Sequence, residues 1–248
     1  MSDKEYIILY HANCPDGFGS AWSFWNKYGD AAEYIAVKHG EPPPDIHNKN
    51  VFIVDFSYPR EVLLAMKEEA KSLIVIDHHI SAQKELSDLD FCKFDMNHSG
   101  AYLSWQYLFG DKNVPKLILH IEDRDLWKWE LPYSKEFSAA FDMVPFDFEE
   151  FSKFEDDSVF DDTVKKGSYI LAYSKTVIKK VSEKATSRKF KGMDVLVVNS
   201  SHWMSEIGAT LSPHCDFAMI WYYDHDYKQY RCSLRCFHEY VDVSEIAK

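Results

Sequence analysis

The chain has 248 residues, 46% hydrophobic and 27% charged, the composition of a globular protein with room for one large core or two smaller ones. Its formal net charge of −12 argues against tracking long duplex nucleic acid by phosphate neutralisation, although a divalent ion reverses the sign of a local site. No apolar run approaches ~18 residues, so no membrane-spanning helix is expected, and the opening MSDKEYIILYHA reads as a strand rather than a signal peptide.

Three short apolar runs recur in the first third: YIILYH (6–11), VFIVDF (51–56) and SLIVIDHH (72–79). They are nearly continuous rather than alternating, as strands buried on both faces of a parallel sheet are. GSAWSFWNKYG (19–29) follows the first run as a helix, AEYIAVK (32–38) reads as a further strand, and helical YPREVLLAMKEEAK (58–71) separates the second run from the third. This alternation predicts an α/β fold with a doubly wound parallel sheet. Residues 99–110 and 114–129 are helical in pattern, with Ser99 as an N-cap. Residues 145–162 are acidic and aromatic without a clear period and read as a connection, followed by a long helix over 163–187. From 190 the pattern restarts, with strands at 193–199, 216–224 and 229–237 and a helix at 205–213. The expected domains are therefore 1–187 and a smaller α/β domain, 188–248.

In doubly wound sheets, ligands bind beyond the carboxyl ends of the strands. All three apolar runs end on residues that ligate metals: His11, Asp55, and Asp77-His78-His79. In HANCPDGFGSAW, His11 and Asp16 share a turn that Gly17 and Gly19 relax; an ordinary strand-to-helix turn explains it equally well. Asp55 alone would suit a helix cap, a role open to Ser57 too. The paired histidines are harder to explain by packing, because both rings need polar partners. EDRDLWKW adds Asp123 and Asp125, whose plain alternative is a helix end paired with Arg124. Its tryptophans suit a core, or a platform for a base. Imidazole mixed with many carboxylate oxygens favours Mn²⁺ over Mg²⁺ or zinc. Two ions about 3.5–4 Å apart would serve phosphoester hydrolysis without a side-chain nucleophile. The five cysteines, Cys14, Cys92, Cys215, Cys232 and Cys236, form no CxxC pair, which points to a reducing, cytoplasmic setting without disulfides.

The order of these motifs resembles the DHH phosphoesterase superfamily. HANCPDG is similar to its first motif, VDFS to its second, IDHH to its third and EDRDLWKW to its fourth. NHSGAYLSW and DLWKW look most like the oligoribonuclease branch, and SLRC and VDVSEIAK like its DHH-associated C-terminal domain. The resemblance implies metal ligands at His11, Asp16, Asp55, His78 and Asp125 (or Asp123), with Asp55 as the bridge and one or two ions, Mn²⁺ or Mg²⁺. It implies that His79 faces the scissile phosphate, that Asp77 orients a ligand histidine, and that Ser99 and Arg235 contact substrate.

There are two departures from the family pattern. The first motif usually carries two aspartates; here Asn13 and Cys14 stand near the missing one, so one ion position is weak or Cys14 completes it softly. The family also continues past VSEIAK with a glycine-rich stretch, which this chain, ending at Lys248, is expected to lack.

The implied activity is that of a metal-dependent phosphodiesterase or exonuclease acting on short single-stranded oligonucleotides or dinucleotides, not on long duplex or at a membrane. Two other readings are a phosphatase on a small phosphate ester or pyrophosphate, and a non-catalytic nucleotide sensor. A homodimer is compatible with each.

Overall fold

The computed structural model describes residues 4–238 and 240–247. The end at Lys248, where the glycine-rich continuation is expected to be missing, lies outside the described residues. The first compact unit covers residues 1–168. In chain order it contains β1 (Tyr6–His11), α1 (Pro15–Tyr28), β2 (Ala32–Val37), β3 (Asn50–Val54), α2 (Arg60–Glu69), β4 (Ser72–Asp77), α3 (Ile80–Leu86), β5 (Cys92–Phe94), α4 (Gly100–Phe109), α5 (Lys116–Asp125), α6 (Ser134–Phe141) and α7 (Phe148–Ser152), followed by the start of α8 (Asp157–Ser182). The strands form one parallel sheet in the order β2-β1-β3-β4-β5.

Register decides where the site can be. Tyr10 pairs with Val54, and Val54 with Ile76. The next residue on each strand is His11, Asp55 and Asp77, so the three lie in line along one edge. The continuous apolar runs also follow from this sheet. Ile7, Leu9, Val51, Ile53, Leu73 and Val75 pack on one face with Leu63 and Met66 of α2. Ile8, Phe52, Val54 and Ile76 pack on the other with Phe24 of α1 and Leu103 of α4.

Residues 145–162 are not a plain connection. Asp147 caps α7 by accepting from the Glu149 and Glu150 N–H groups, a 3₁₀ turn covers Lys153–Glu155, and α8 starts at Asp157. Phe151, Phe154 and Phe160 are buried with Phe18, Trp22, Phe137 and Phe141. Each such side chain removed from water is worth about 1.5–3 kcal/mol. The three-residue spacing of Phe148, Phe151 and Phe154 carries this pattern, while the acidic residues between them face solvent or cap helix ends.

The second unit covers residues 169–248, so the division falls inside α8 rather than near 187. The reason is packing: Val159, Phe160 and Val164 belong to the first unit's aromatic core, whereas Ile178 and Val181 lie on the second unit's core. That unit adds β6 (Thr186–Phe190), β7 (Met193–Asn199), α9 (Met204–Leu211), β8 (Phe217–Asp224), β9 (Gln229–Arg235) and α10 (Val243–Ile246). Its sheet runs β6-β7-β8-β9, with only β7 and β8 parallel. Among the described residues no helix is long and apolar enough to cross a membrane.

Gly167 of α8 lies so close to α6 that an added Cβ would overlap the Glu136 carbonyl oxygen. Glycine-to-alanine changes inside helices ordinarily gain about 0.5–1 kcal/mol. Gly167→Ala is instead expected to lose about 1–3 kcal/mol in urea unfolding, because helix backbone must move. The exposed neighbour Ser168→Ala should be nearly neutral.

Candidate metal centre

The site grows from the strand ends and two helix ends. Asp55 follows β3 with φ +53°, a left-handed conformation that costs a non-glycine residue energy, and its N–H donates to the Ile76 carbonyl at 3.0 Å. This turn leaves the Asp55 carboxylate 1% exposed. Asp16, in the first turn of α1, is equally buried. Its two oxygens accept from the Gly100 and Ala101 N–H groups at 2.7 and 2.9 Å, so the N-terminus of α4 holds it. Gly100 permits that approach: a Cβ there would stand 2.6 Å from the Asp55 Cβ and 2.9 Å from Asp16 Oδ2.

His78 Nε2 is the meeting point. It lies 3.5 Å from Asp16 Oδ2, 3.3 Å from Asp55 Oδ1 and 3.5 Å from Asp125 Oδ2. Neither it nor Asp55 Oδ2 has a well-formed hydrogen bond, though both atoms are buried. Asp55 Oδ2 faces His11 Nδ1 at 3.5 Å. Ligands of a tetrahedral ion bound at about 2.1 Å stand about 3.4 Å apart, so these separations suit neighbours around a shared cation better than direct hydrogen bonds. Three ligand sets have atoms within 4.8 Å of one another: His11–Cys14–Asp55, Asp55–His78–His79 and Asp16–His78–Asp125. The residues therefore fit one or two divalent ions, with Asp55 facing a different set through each oxygen.

Electrostatics agrees. Burial pushes the Asp16 carboxyl well up, and the charges of Asp55 and Asp125 add to this. Asp125 is raised for the same first reason. Burial opposes the charged form of both Asp55 and His78, but each sustains the other: Asp55, beside His11 and His78, is held at about 2, and His78, among Asp55, Asp16 and Asp125, at about 9. Burial and the same carboxylates push the Cys14 thiol up. A cluster this negative is one that a divalent cation neutralises.

Asp77 closes β4. Its Oδ2 accepts from Ser57 Oγ at 2.6 Å, and its Oδ1 accepts from the His78 N–H at 2.7 Å and pairs with His79 Nδ1 at 2.6 Å. The ring it orients is thus His79, not His78, the histidine among the carboxylates. That bond, foremost, raises the His79 pKa.

Between the two candidates in EDRDLWKW, the structure brings Asp125 to His78, whereas Asp123 accepts from the Glu130 N–H at 2.9 Å and organises the turn after α5. Ser99 does not reach outward. It is fully buried, caps α4 by accepting from the Tyr102 N–H at 3.3 Å, and donates its own N–H to Glu122 at 3.1 Å. Arg235 belongs to the second unit, where its guanidinium donates to Ser205 Oγ at 2.8 Å. All five cysteines are free.

One residue is absent from the sequence reading. His39, two residues past β2, stacks on Phe56 at 4.4 Å and stands edge-on to His11 at 5.7 Å. Burial lowers its pKa, which favours a neutral ring. The signal was present, since β2 ends beside β1 in register, Val37 opposite His11.

No protein-family model matches the chain. The chain is 34% identical over 275 aligned positions to an uncharacterized protein of Acanthamoeba polyphaga mimivirus; the match covers 99% of this chain and 64% of the length of that protein. Its fold is similar to the crystal structure of an uncharacterized protein from Helicobacter pylori G27, with a TM-score of 0.50, 13% identity, and coverage of 98% of this chain and 88% of that one. That likeness supports the α/β architecture.

The two aspartates of α5 should separate cleanly. Asp123→Ala is expected to cost about 1–3 kcal/mol, since it removes the buried acceptor that holds the Glu130 N–H in the turn after α5. Asp125→Ala should leave the metal-free protein as stable or more so, because it removes a carboxylate repelled by Asp55. Mn²⁺ at about 100 times its Kd should stabilise the wild type and Asp123→Ala by about 2.7 kcal/mol, and Asp125→Ala far less. Unfolding curves with Mn²⁺ and with EDTA measure both effects; a reversed pattern would make Asp123 the ligand.

Proposed function

We propose that the chain is a metal-dependent phosphodiesterase of the DHH superfamily type, hydrolysing short single-stranded oligonucleotides or dinucleotides. The observation that carries this reading is the convergence of Asp16, Asp55 and Asp125 on His78, with His11 on the far side of Asp55. His11, Asp16, Asp55, His78 and Asp125 would hold one or two ions, Mn²⁺ on the balance of carboxylate and imidazole ligands. Bound there, such ions supply water activation and charge neutralisation at a phosphoryl group.

The chain's own residues do the positioning. Asp77 grips Nδ1 of His79 and so directs Nε2 of that half-exposed ring away from itself. A proton retained on that ring can be donated to a phosphoryl oxygen as negative charge builds there. Beside His79 lies a recess of about 220 Å³ lined by His39, Ser57, Tyr58, Asp77 and Ser81 among others. This is below the ~300–1,000 Å³ typical of ligand pockets. Its size suits one end of a short substrate.

The test is hydrolysis of a 5′-labelled RNA dinucleotide with Mn²⁺ or EDTA. Manganese-dependent cleavage is expected, abolished in a combined Asp77→Ala/His78→Ala variant. His79→Ala should fold normally and lose about 10²–10³-fold in kcat, the usual scale for one charge-stabilising donor. Faster turnover of a phosphate monoester or pyrophosphate than of the dinucleotide would favour a phosphatase. Tight binding without turnover in saturating Mn²⁺ would favour a sensor.

A further inference from the structure

We propose that His11, Cys14 and Asp55 form a mixed nitrogen–sulfur–oxygen site for a soft or borderline ion such as Zn²⁺, Co²⁺ or Fe²⁺, beside an Asp16–His78–Asp125 site suited to Mn²⁺ or Mg²⁺. The inference rests on the reading that this cluster binds metal, and it adds that the two positions differ in kind. Imidazole nitrogen, thiolate sulfur and carboxylate oxygen are all within 4.8 Å of one another in the first set, whereas the second set offers one nitrogen and two oxygens. Sulfur ligands select softer ions, and carboxylate-rich sets select harder ones.

The local backbone is shaped to deliver Cys14. Asn13 takes a left-handed turn at φ +57°, a conformation asparagine tolerates, and Cys14 then runs extended before Pro15 opens α1. Cys14 stands at the N-cap position of α1. The following turn is pulled tight against β1: a Cβ on Gly17 would overlap the His11 carbonyl oxygen and stand 2.9 Å from the His11 Cβ. So the loop holds the half-buried Cys14 close to His11 and Asp55.

A second observation at the same place points to a ligand. Asp55 Oδ2 is buried without a hydrogen-bond partner, 3.5 Å from His11 Nδ1. Leaving a carboxylate oxygen so placed is costly unless something positive shares it. Binding breaks the Cys14 S–H bond, forms a metal–sulfur bond and releases the proton to water, with no change of oxidation state.

The test uses the full chain stripped of metal and titrated with Co²⁺. Wild type should develop an intense near-ultraviolet sulfur-to-cobalt charge-transfer absorption. Cys14→Ser should lose that absorption while its other four cysteines remain, and His78→Ala should keep it. Cd²⁺ affinity in Cys14→Ser should fall by more than the 10–100-fold typical of losing an outer partner of a ligand. Cys14→Asp should move the preference from Cd²⁺ toward Mn²⁺. Should Cys14→Ser fail to fold, alkylation of the wild type decides instead, with Cd²⁺ expected to protect Cys14 from iodoacetamide in peptide mapping. Co²⁺ binding without the charge-transfer absorption, its persistence in Cys14→Ser, or alkylation of Cys14 unslowed by Cd²⁺ would overturn the thiolate site while leaving the metal centre standing. No binding of Co²⁺, Cd²⁺ or Mn²⁺ at all would overturn both.

Discussion

The centre depends on the parallel register of β1, β3 and β4. Because Tyr10, Val54 and Ile76 are cross-strand partners, the residue that follows each emerges at the same level of the sheet edge. Adjacent strands lie about 4.8 Å apart. Side chains leaving neighbouring strands at one level can then meet around a single ion without long loops. A slip of one residue in either pairing would send a carboxylate into an apolar face instead. That outcome is opposed by both hydrophobic layers, since every strand residue between the ends is committed to one of them. The core thus specifies the site as a by-product of specifying itself.

Concentrating carboxylates works against stability, and the fold counters it with dipoles before any cation arrives. Asp16 receives two N–H groups from the start of α4, and Asp77 receives a serine hydroxyl, two backbone N–H groups and an imidazole. Asp55 has no such backbone donors on its side chain and leans on two histidines. Donors from backbone stay fixed whether or not an ion is present, whereas imidazoles can exchange a proton for a metal. The carboxylate between two ligand sets is therefore the one left most dependent on exchangeable partners.

How much of this is legible in the sequence follows from range of interaction. Strand runs and the ligand-type residues that end them are local facts, so His11, Asp55 and the Asp77–His79 triplet can be read directly. The N-cap role of Ser99 can be read too, because capping acts over three residues. The choice between Asp123 and Asp125 cannot, since both sit at one helix end and only the tertiary path of α5 decides which faces His78. His39 is hidden for the same reason: its importance comes from β2 lying beside β1. The acidic stretch at 145–162 misleads because its charges dominate the composition, while the phenylalanines that drive its folding are spaced by three through short helical turns.

Adjacent histidines could have done the same job, and the geometry at the end of β4 separates them. Asp77 is the last strand residue, and its carboxylate accepts the His78 N–H and reaches back to the His79 ring. This local knot ties the chain so that the two rings diverge. The side chain of His78 is 10% exposed and enclosed by carboxylates, while that of His79 is 45% exposed beside an open recess. A ligand needs the first environment, where water is excluded and charge is concentrated. A hydrogen-bond donor to an anion would need the second, where the ring faces open space. One aspartate, by taking the nearer nitrogen of the second ring, gives two identical side chains these different surroundings.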